Sequence, residues 1–240
     1  MIILSLKLLL AHIIGDFVFQ PYNWVKDKEL KKQKSPYLYV HLLIHTVAIC
    51  IVLQFDTAYW GALVTIVISH FVIDLAKLHL HNRERARALF FIDQLTHLLV
   101  ITLVVCIYES GSSPHINFYE PQILLLATAV LLVSVVSAIV MKVIMTKWNL
   151  EEDAHDDSLK NAGKYIGMLE RLFVFTFILL NQWQAIGFLI AAKSVFRFGD
   201  LSRAKDRKLT EYILIGTLLS FGLAIAIGIG YQYAKAYLAH

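Results

Sequence analysis

Residues 122–145 read QILLLATAVLLVSVVSAIVMKVIM, a run in which Lys142 is the single charged side chain. About 20 apolar helical residues cross a bilayer core, so this run predicts a transmembrane helix. The whole 240-residue chain has a similar character, with 58% hydrophobic residues, 17% charged residues and a mean hydropathy of +0.63. This composition excludes a soluble globular domain and a disordered chain. We therefore expect an all-α polytopic membrane helix bundle.

Further apolar segments of comparable length recur along the chain. We predict helices at residues 2–20, 38–55, 59–78, 87–108 and 210–235, together with a long apolar stretch at 165–199. If that stretch is one helix, the bundle has seven spans. If the chain turns at Asn181-Gln182 to form two short helices, the bundle has eight spans, or six and a re-entrant hairpin.

The distribution of basic residues favours a turn at Asn181-Gln182. With this turn, all of the 22 Lys and Arg residues except Lys7 and Lys235 lie in loops on one face. Cytoplasmic loops carry an excess of Lys and Arg, so we expect these loops to be cytoplasmic. Anionic lipid headgroups account for the net charge of +4, and no nucleic acid partner is expected.

The sequence suggests three parts. Residues 1–145 contain membrane helices with most of the intramembrane polar residues, 146–163 form a polar cytoplasmic linker, and 164–240 contain membrane helices with a basic cytoplasmic loop. In the last part we expect Glu170 to form an ion pair with Lys193 or Arg197, because paired charges are less costly in an apolar bundle.

Four successive predicted helices each carry two ionisable residues four positions apart. The pairs are His12 and Asp16, His41 and His45, His70 and Asp74, and Asp93 and His97. A spacing of four places both side chains on one helix face, one turn apart. An ionisable group at membrane depth costs at least about 2.5 kcal/mol, so these eight groups require a compensating partner.

The depths of the eight residues agree between helices that run in opposite directions. Counted from the basic face, the shallower layer contains Asp16, His41, Asp74 and Asp93, and the deeper layer contains His12, His45, His70 and His97. At about 1.5 Å per residue the layers lie within one helical turn of each other. We therefore expect one polar chamber that opens toward the cytoplasm.

Imidazole and carboxylate ligands together suit a divalent transition metal such as Zn, Mn, Fe or Ni. Eight candidate ligands exceed the needs of one tetrahedral site, so the sequence allows one ion with supporting carboxylates or two ions. Asp16, Asp74 and Asp93 are expected to bind metal or to act as the base that activates a metal-bound water. Lys77 would stabilise developing negative charge, and Gln20 and Lys26 also lie near the chamber.

Several segments carry a family resemblance. The segments are LLLAHIIGDFVFQ, HLLIH, HFVIDLAK, GMLERL, AAKSVFRF and EYILIGTLLSF. Together they resemble the bacterial membrane family catalogued as domain of unknown function 3307, which implies a bacterial inner-membrane location and gives no activity. The HxxxD and HxxxH patterns of the first hundred residues are also similar to those of inner-membrane metal-dependent hydrolases, which implies hydrolysis.

We expect an integral membrane metal-dependent hydrolase whose cytoplasm-facing site acts on a phosphoester or another anionic substrate, such as a lipid-linked one. Membrane lipids would be its surroundings and a possible source of substrate. A divalent-cation or proton transporter or sensor would use the same residues. A structural membrane scaffold, with the pairs serving only as a hydrogen-bond network, is the third alternative.

Overall fold

The computed structural model describes residues 2–82, 84–109, 119–148, 162–195 and 206–239. Every regular element in these ranges is helical, which confirms the all-α prediction. The α-helices are α1 (Ile2–Ile13), α2 (Tyr22–Lys31), α3 (Pro36–Val52), α4 (Trp60–Leu80), α5 (Ala86–Glu109), α6 (Pro121–Leu131), α7 (Ser137–Met145), α8 (Ala162–Leu179), α9 (Trp183–Val195) and α10 (Asp206–Leu238). A π-helical turn extends α1 at Ile14–Val18, and a second one joins α6 to α7 at Leu132–Val136.

Among the described residues, four helical segments are long and apolar enough to cross a membrane. They are Thr57–Leu80, Ala86–Tyr108, Pro121–Met145 and Thr210–Leu238. A fifth is added if Ile2–Val18 and Tyr22–Lys34, which meet at an angle of 83°, count as one broken span.

The predicted count of seven to eight spans is therefore not supported by the described helices. Helices α3 and α9 contain 17 and 13 residues, or about 26 and 20 Å at 1.5 Å per residue, which is less than a bilayer core. Helix α8 has 18 residues but contains Lys164, Glu170 and Arg171.

The predicted turn at Asn181-Gln182 is confirmed. Asn181 has a φ of 55°, and its N–H donates to the carbonyl of Ile178, while the N–H of Gln182 donates to the carbonyl of Phe177. These two bonds form a Schellman motif, which satisfies the last carbonyls of a helix through one left-handed residue. Asparagine tolerates that conformation better than most residues, so it ends α8 here.

The chain forms two compact units, Met1–Thr128 and Ala129–His240. In the first unit α1 packs against α3 and α5, and α4 packs against the same two helices, so the four helices form a closed ring. The buried residues of α4 recur every four positions and form one inward stripe: Ala62, Ile66, His70, Asp74 and Leu78. The histidine and aspartate of α4 therefore point into the ring with the apolar core.

The second unit contains a buried arginine. None of the hydrogen-bond partners described for its guanidinium is a carboxylate. Arg171 of α8 is 3% exposed, and its guanidinium donates to the carbonyls of Val133 and Ser134 and to the hydroxyl of Ser220. Both carbonyls belong to the π-helical turn at Leu132–Val136, whose altered bonding makes them available. This arginine thus joins α8 to the π-helical turn and to α10.

The ion pair expected in the second unit is present. Lys193 Nζ donates to Glu170 Oε2 at 2.6 Å, which pairs the two charges between α8 and α9. Arg197, the other expected partner of Glu170, and most of the predicted linker, at 149–161, lie outside the described residues.

We predict that the side chain at position 181 controls the stability of the α8–α9 turn. Asn181→Val should lower the free energy of unfolding by about 1–2 kcal/mol, because a β-branched residue is strained at positive φ. Asn181→Gly should stay close to wild type, because glycine adopts this conformation without strain. Thermal unfolding in detergent measures both, and an equal loss in the two variants would contradict the prediction.

Candidate metal centre

Four helices of the first unit each bring two polar side chains into the interior of the ring. They are the eight residues that the spacing indicated: His12 and Asp16 from α1 and its π-helical turn, His41 and His45 from α3, His70 and Asp74 from α4, and Asp93 and His97 from α5. Each side chain is at most 8% exposed. The structure thus brings all eight together in one buried group, called the His/Asp cluster below.

The imidazoles of His12, His45, His70 and His97 lie next to one another in a closed cycle of four. The ring centroids of His12 and His45 are 5.9 Å apart, those of His45 and His70 are 3.8 Å apart, those of His70 and His97 are 4.3 Å apart, and those of His97 and His12 are 5.2 Å apart. These four were assigned to one layer from the sequence. Imidazoles this close repel one another when protonated, whereas neutral imidazoles offer lone pairs to a metal.

Asp16 lies at the centre of the cluster. Its Oδ1 is 2.9 Å from His45 Nε2, 3.2 Å from His41 Nε2 and 3.6 Å from His70 Nε2, and its Oδ2 is 3.7 Å from His12 Nε2. One carboxylate therefore approaches imidazoles from three different helical segments. Several nitrogen atoms around one carboxylate oxygen are a typical setting for a metal ion with mixed ligands.

The other two carboxylates each pair with a lysine. Lys28 Nζ of α2 donates to Asp74 Oδ2 at 3.2 Å, and Lys77 Nζ of α4 donates to Asp93 Oδ2 at 2.6 Å. Lys28 is buried like the aspartate it contacts, whereas the side chain of Lys77 is 33% exposed. The two ammonium groups compensate two of the three buried negative charges.

Two glutamines complete the polar contacts of the cluster. Gln94 Nε2 donates to Asp16 Oδ2 at 2.9 Å and to Asp93 Oδ2 at 3.2 Å, and Gln94 Oε1 lies 3.2 Å from His12 Nε2. Gln20 Nε2 lies 3.0 Å from His41 Nε2. One amide group therefore holds two carboxylates together.

Two buried polar atoms of the cluster lack a hydrogen-bond partner among the described residues. They are Asp93 Oδ1 and His97 Nε2, which lie 3.5 Å apart. An unsatisfied buried polar group costs about 1–3 kcal/mol, and more when it is charged. A ligand between these two atoms would remove that cost.

Within the described part of the chain, three overlapping sets of residues have ligand atoms close enough to hold a metal ion. The sets are His12, Asp16, His45 and His70; His41, His70 and Asp74; and Asp16, Asp93 and His97. Within each set the ligand atoms lie within 4.8 Å of one another. All eight predicted ligands appear in at least one set, and their role as ligands stays a prediction.

The close approach of α1 to α3 depends on a glycine. A Cβ atom added at Gly15 would overlap the imidazole of His45, so only glycine leaves space for that ring beside the helix. Gly15 and Asp16 both lie in the π-helical turn Ile14–Val18, and such turns occur often at functional sites.

The sequence did not single out three contributors to the cluster. Lys28 was one of several lysines in a basic loop, and Lys26, which was considered, is exposed. Gln94 could have been noticed, because it is an amide beside Asp93 in an apolar helix. No local pattern marks Gly15 as the contact of a histidine on another helix.

Two other histidines of the first unit have contacts outside the cluster. His79 Nδ1 lies 2.8 Å from the carbonyl oxygen of Leu75 on its own helix, and His81 lies 3.8 Å from Glu29. The predicted site does not include them, and the structure places neither in a metal-capable set within its described residues.

A family model described as a protein of unknown function (DUF3307) matches residues 4–127. The chain belongs to the DUF3307 family. The matched segment includes α1, α3, α4 and α5 and therefore the complete His/Asp cluster. No curated protein and no solved structure matches the chain.

We predict that Gly15 is required for the packing of α1 against α3. Gly15→Ala should lower the Tm by about 5 °C, because the added methyl group must displace His45 from a packed interior. Gly222→Ala is the matched control, since a Cβ there meets nothing within 4 Å. Thermal unfolding of both variants in detergent measures the effect, and an unchanged Tm for Gly15→Ala would contradict the described contact.

Proposed function

We propose that this DUF3307 protein is an integral membrane metal-dependent hydrolase of a phosphoester or another anionic substrate, which can be lipid-linked. The observation that carries the proposal is the convergence of five histidines and three aspartates from four helices in one buried cluster. A divalent transition metal ion held by such ligands can activate a water molecule for hydrolysis.

A metal ion accounts for the cluster better than a purely structural network. A structural network is stable when every buried polar group is paired, whereas Asp93 Oδ1 and His97 Nε2 have no hydrogen-bond partner among the described residues. A cation supplies the partner that these two atoms require.

The donor set indicates the kind of metal. Imidazole nitrogen atoms and carboxylate oxygen atoms together favour Zn, Mn, Fe or Ni, whereas calcium prefers oxygen ligands alone. Such an ion lowers the pKa of a bound water and can polarise a phosphoryl oxygen. Asp16, Asp74 and Asp93 would bind the metal or accept a proton from that water.

The two lysines favour a negatively charged substrate. Lys28 and Lys77 reach the cluster from α2 and α4, and each contacts a carboxylate that also belongs to a metal-capable set. An ammonium group beside a metal can bind a phosphate oxygen and stabilise charge that develops on it. Lys77 is the more accessible of the two and is proposed for this role.

We further propose a bacterial inner-membrane location with the basic loops in the cytoplasm. The positive-inside rule supports this orientation, because Lys28 of α2, which contacts Asp74 of α4, and Lys77 in the last turn of α4 lie at one end of the first unit. Helix α2, which carries Lys26, Lys28 and Lys31, would then lie at the cytoplasmic end of the cluster.

We predict that purified protein contains one or two transition-metal ions per chain and that His45→Ala and Asp74→Ala each lose at least one ion, because each variant removes a cluster ligand. His79→Ala, which removes a histidine from the same helix as Asp74 but outside the cluster, should retain the metal. Elemental analysis of the detergent-purified proteins measures metal content, and circular dichroism checks helicity. Asp74→Asn replaces Asp74→Ala if the latter does not fold.

Folded wild-type protein without stoichiometric metal, even after supplementation, would overturn the metal-dependent function. A proton pathway or a structural network would then be the functions to test.

We predict that metal-loaded protein hydrolyses at least one member of a panel of phosphoesters and phospholipids. Lys77→Ala should lower kcat by about 100-fold, because a positioned donor to a developing oxyanion has an effect of that size. Lys77→Arg should retain more activity because it keeps the charge. Lys26→Ala is the matched control, since Lys26 is exposed. Stoichiometric metal without hydrolysis across the panel would favour metal sensing or transport instead.

A further inference from the structure

We infer that the His/Asp cluster holds two metal ions and that the carboxylate of Asp16 bridges them. The inference rests on the proposed metal-dependent function and specifies how many ions the site needs. It follows from how the three metal-capable sets share residues, from the separations of their ligand atoms and from the two unsatisfied buried atoms.

Shared residues limit which sets can be filled together. The set of His12, Asp16, His45 and His70 shares His70 with the set of His41, His70 and Asp74. The Nε2 atom of His70 that faces both sets has one lone pair and binds one ion, so these two sets exclude each other. The first set shares only Asp16 with the third set, and a carboxylate has two oxygen atoms that can bind two ions.

The first subsite has the separations expected for a tetrahedral ion. Metal–ligand distances of about 2.0–2.1 Å at tetrahedral angles place ligand atoms about 3.4 Å apart. Asp16 Oδ1 lies 2.9 Å from His45 Nε2 and 3.6 Å from His70 Nε2. His12 belongs to the same metal-capable set, whose ligand atoms all lie within 4.8 Å of one another, and it supplies the fourth ligand.

The second subsite contains two buried atoms that have no hydrogen-bond partner among the described residues. His97 Nε2 lies 3.5 Å from Asp93 Oδ1 and 3.7 Å from Asp74 Oδ1, close to the same expected separation. The two unsatisfied buried atoms of the cluster, Asp93 Oδ1 and His97 Nε2, are both in this subsite. An ion between them would give both atoms a ligand bond.

Asp16 faces both subsites with different oxygen atoms. Its Oδ1 contacts His45 and His70 of the first subsite. Its Oδ2 and the Oδ2 of Asp93 accept hydrogen bonds from the same amide nitrogen of Gln94. Because Asp16 also belongs to the metal-capable set of Asp93 and His97, its carboxylate can bridge the two subsites.

The charge of the cluster also favours a second cation together with an anionic substrate. Three aspartates and two lysines leave a net negative charge when the imidazoles are neutral. One divalent ion reverses the sign of this charge, and a second makes the site strongly positive. Hydroxide and a phosphate dianion would neutralise such a site, so two ions select for a phosphate group over a neutral ester.

The test loads purified full-length protein with Mn(II) and measures metal content by elemental analysis and low-temperature electron paramagnetic resonance. Two ions about 3.5–4 Å apart should give two Mn per chain with an exchange-coupled signal. His97→Ala should retain one Mn per chain with an uncoupled six-line signal. Asp16→Ala should abolish the coupling, and the matched control His79→Ala should retain two coupled ions.

Other outcomes separate this inference from the proposed function. One Mn per chain in wild type would overturn the bridged pair and leave the metal-dependent function in place. No bound metal in folded protein would overturn both. A folded His97→Ala variant that keeps two ions, or that loses both, would contradict two subsites with separate ligands, and Asp93→Asn provides the same comparison if His97→Ala does not fold.

Discussion

The first unit encloses three carboxylates in an apolar ring of helices, and its stability depends on compensating their negative charges. Removing a carboxylate from water costs several kcal/mol unless cations or donors replace the lost hydration. Asp74 and Asp93 obtain this compensation from Lys28 and Lys77, while Asp16 is surrounded by imidazoles and the Gln94 amide. The contacts of α1, α2, α3, α4 and α5 in this region all serve that requirement. A metal centre would extend the same compensation to the atoms that still lack a partner.

The positions of the cluster side chains depend on close packing between the helices that carry them. Gly15 lets the imidazole of His45 lie against the π-helical turn, and Ala11 of α1 and Ala62 of α4 are fully buried. Small residues allow helix backbones to approach closely in membrane proteins. The resulting distances of about 3–4 Å between ligand atoms are those at which one ion can join groups from different helices. Loss of one of these small residues would therefore disturb the cluster without removing a ligand.

Much of the site could be predicted because the two residues of each ionisable pair lie on the same helix, four positions apart. His70 and Asp74 share a helix face by their spacing alone, and the opposite order of Asp93 and His97 matches a neighbouring helix that runs in the other direction. Lys28 could not be distinguished from Lys26, because the rotation of α2 against α4 decides which of the two is buried. The span count failed for a related reason, since hydropathy does not reveal that α3 and α9 end after 17 and 13 residues.

The sequence by itself determined the helical class, the inward faces of α1, α3, α4 and α5, and the turn at Asn181. These properties follow from apolar periodicity and from backbone preferences, which act over a few residues. The tertiary structure alone decided that Asp16 lies at the centre and that Gln94 joins two carboxylates, and it left His97 Nε2 without a hydrogen-bond partner in the described part of the chain. These contacts join residues far apart in the chain, with Asp16 and Gln94 separated by 78 positions. Their geometry depends on helix rotation and approach, which local sequence patterns do not encode.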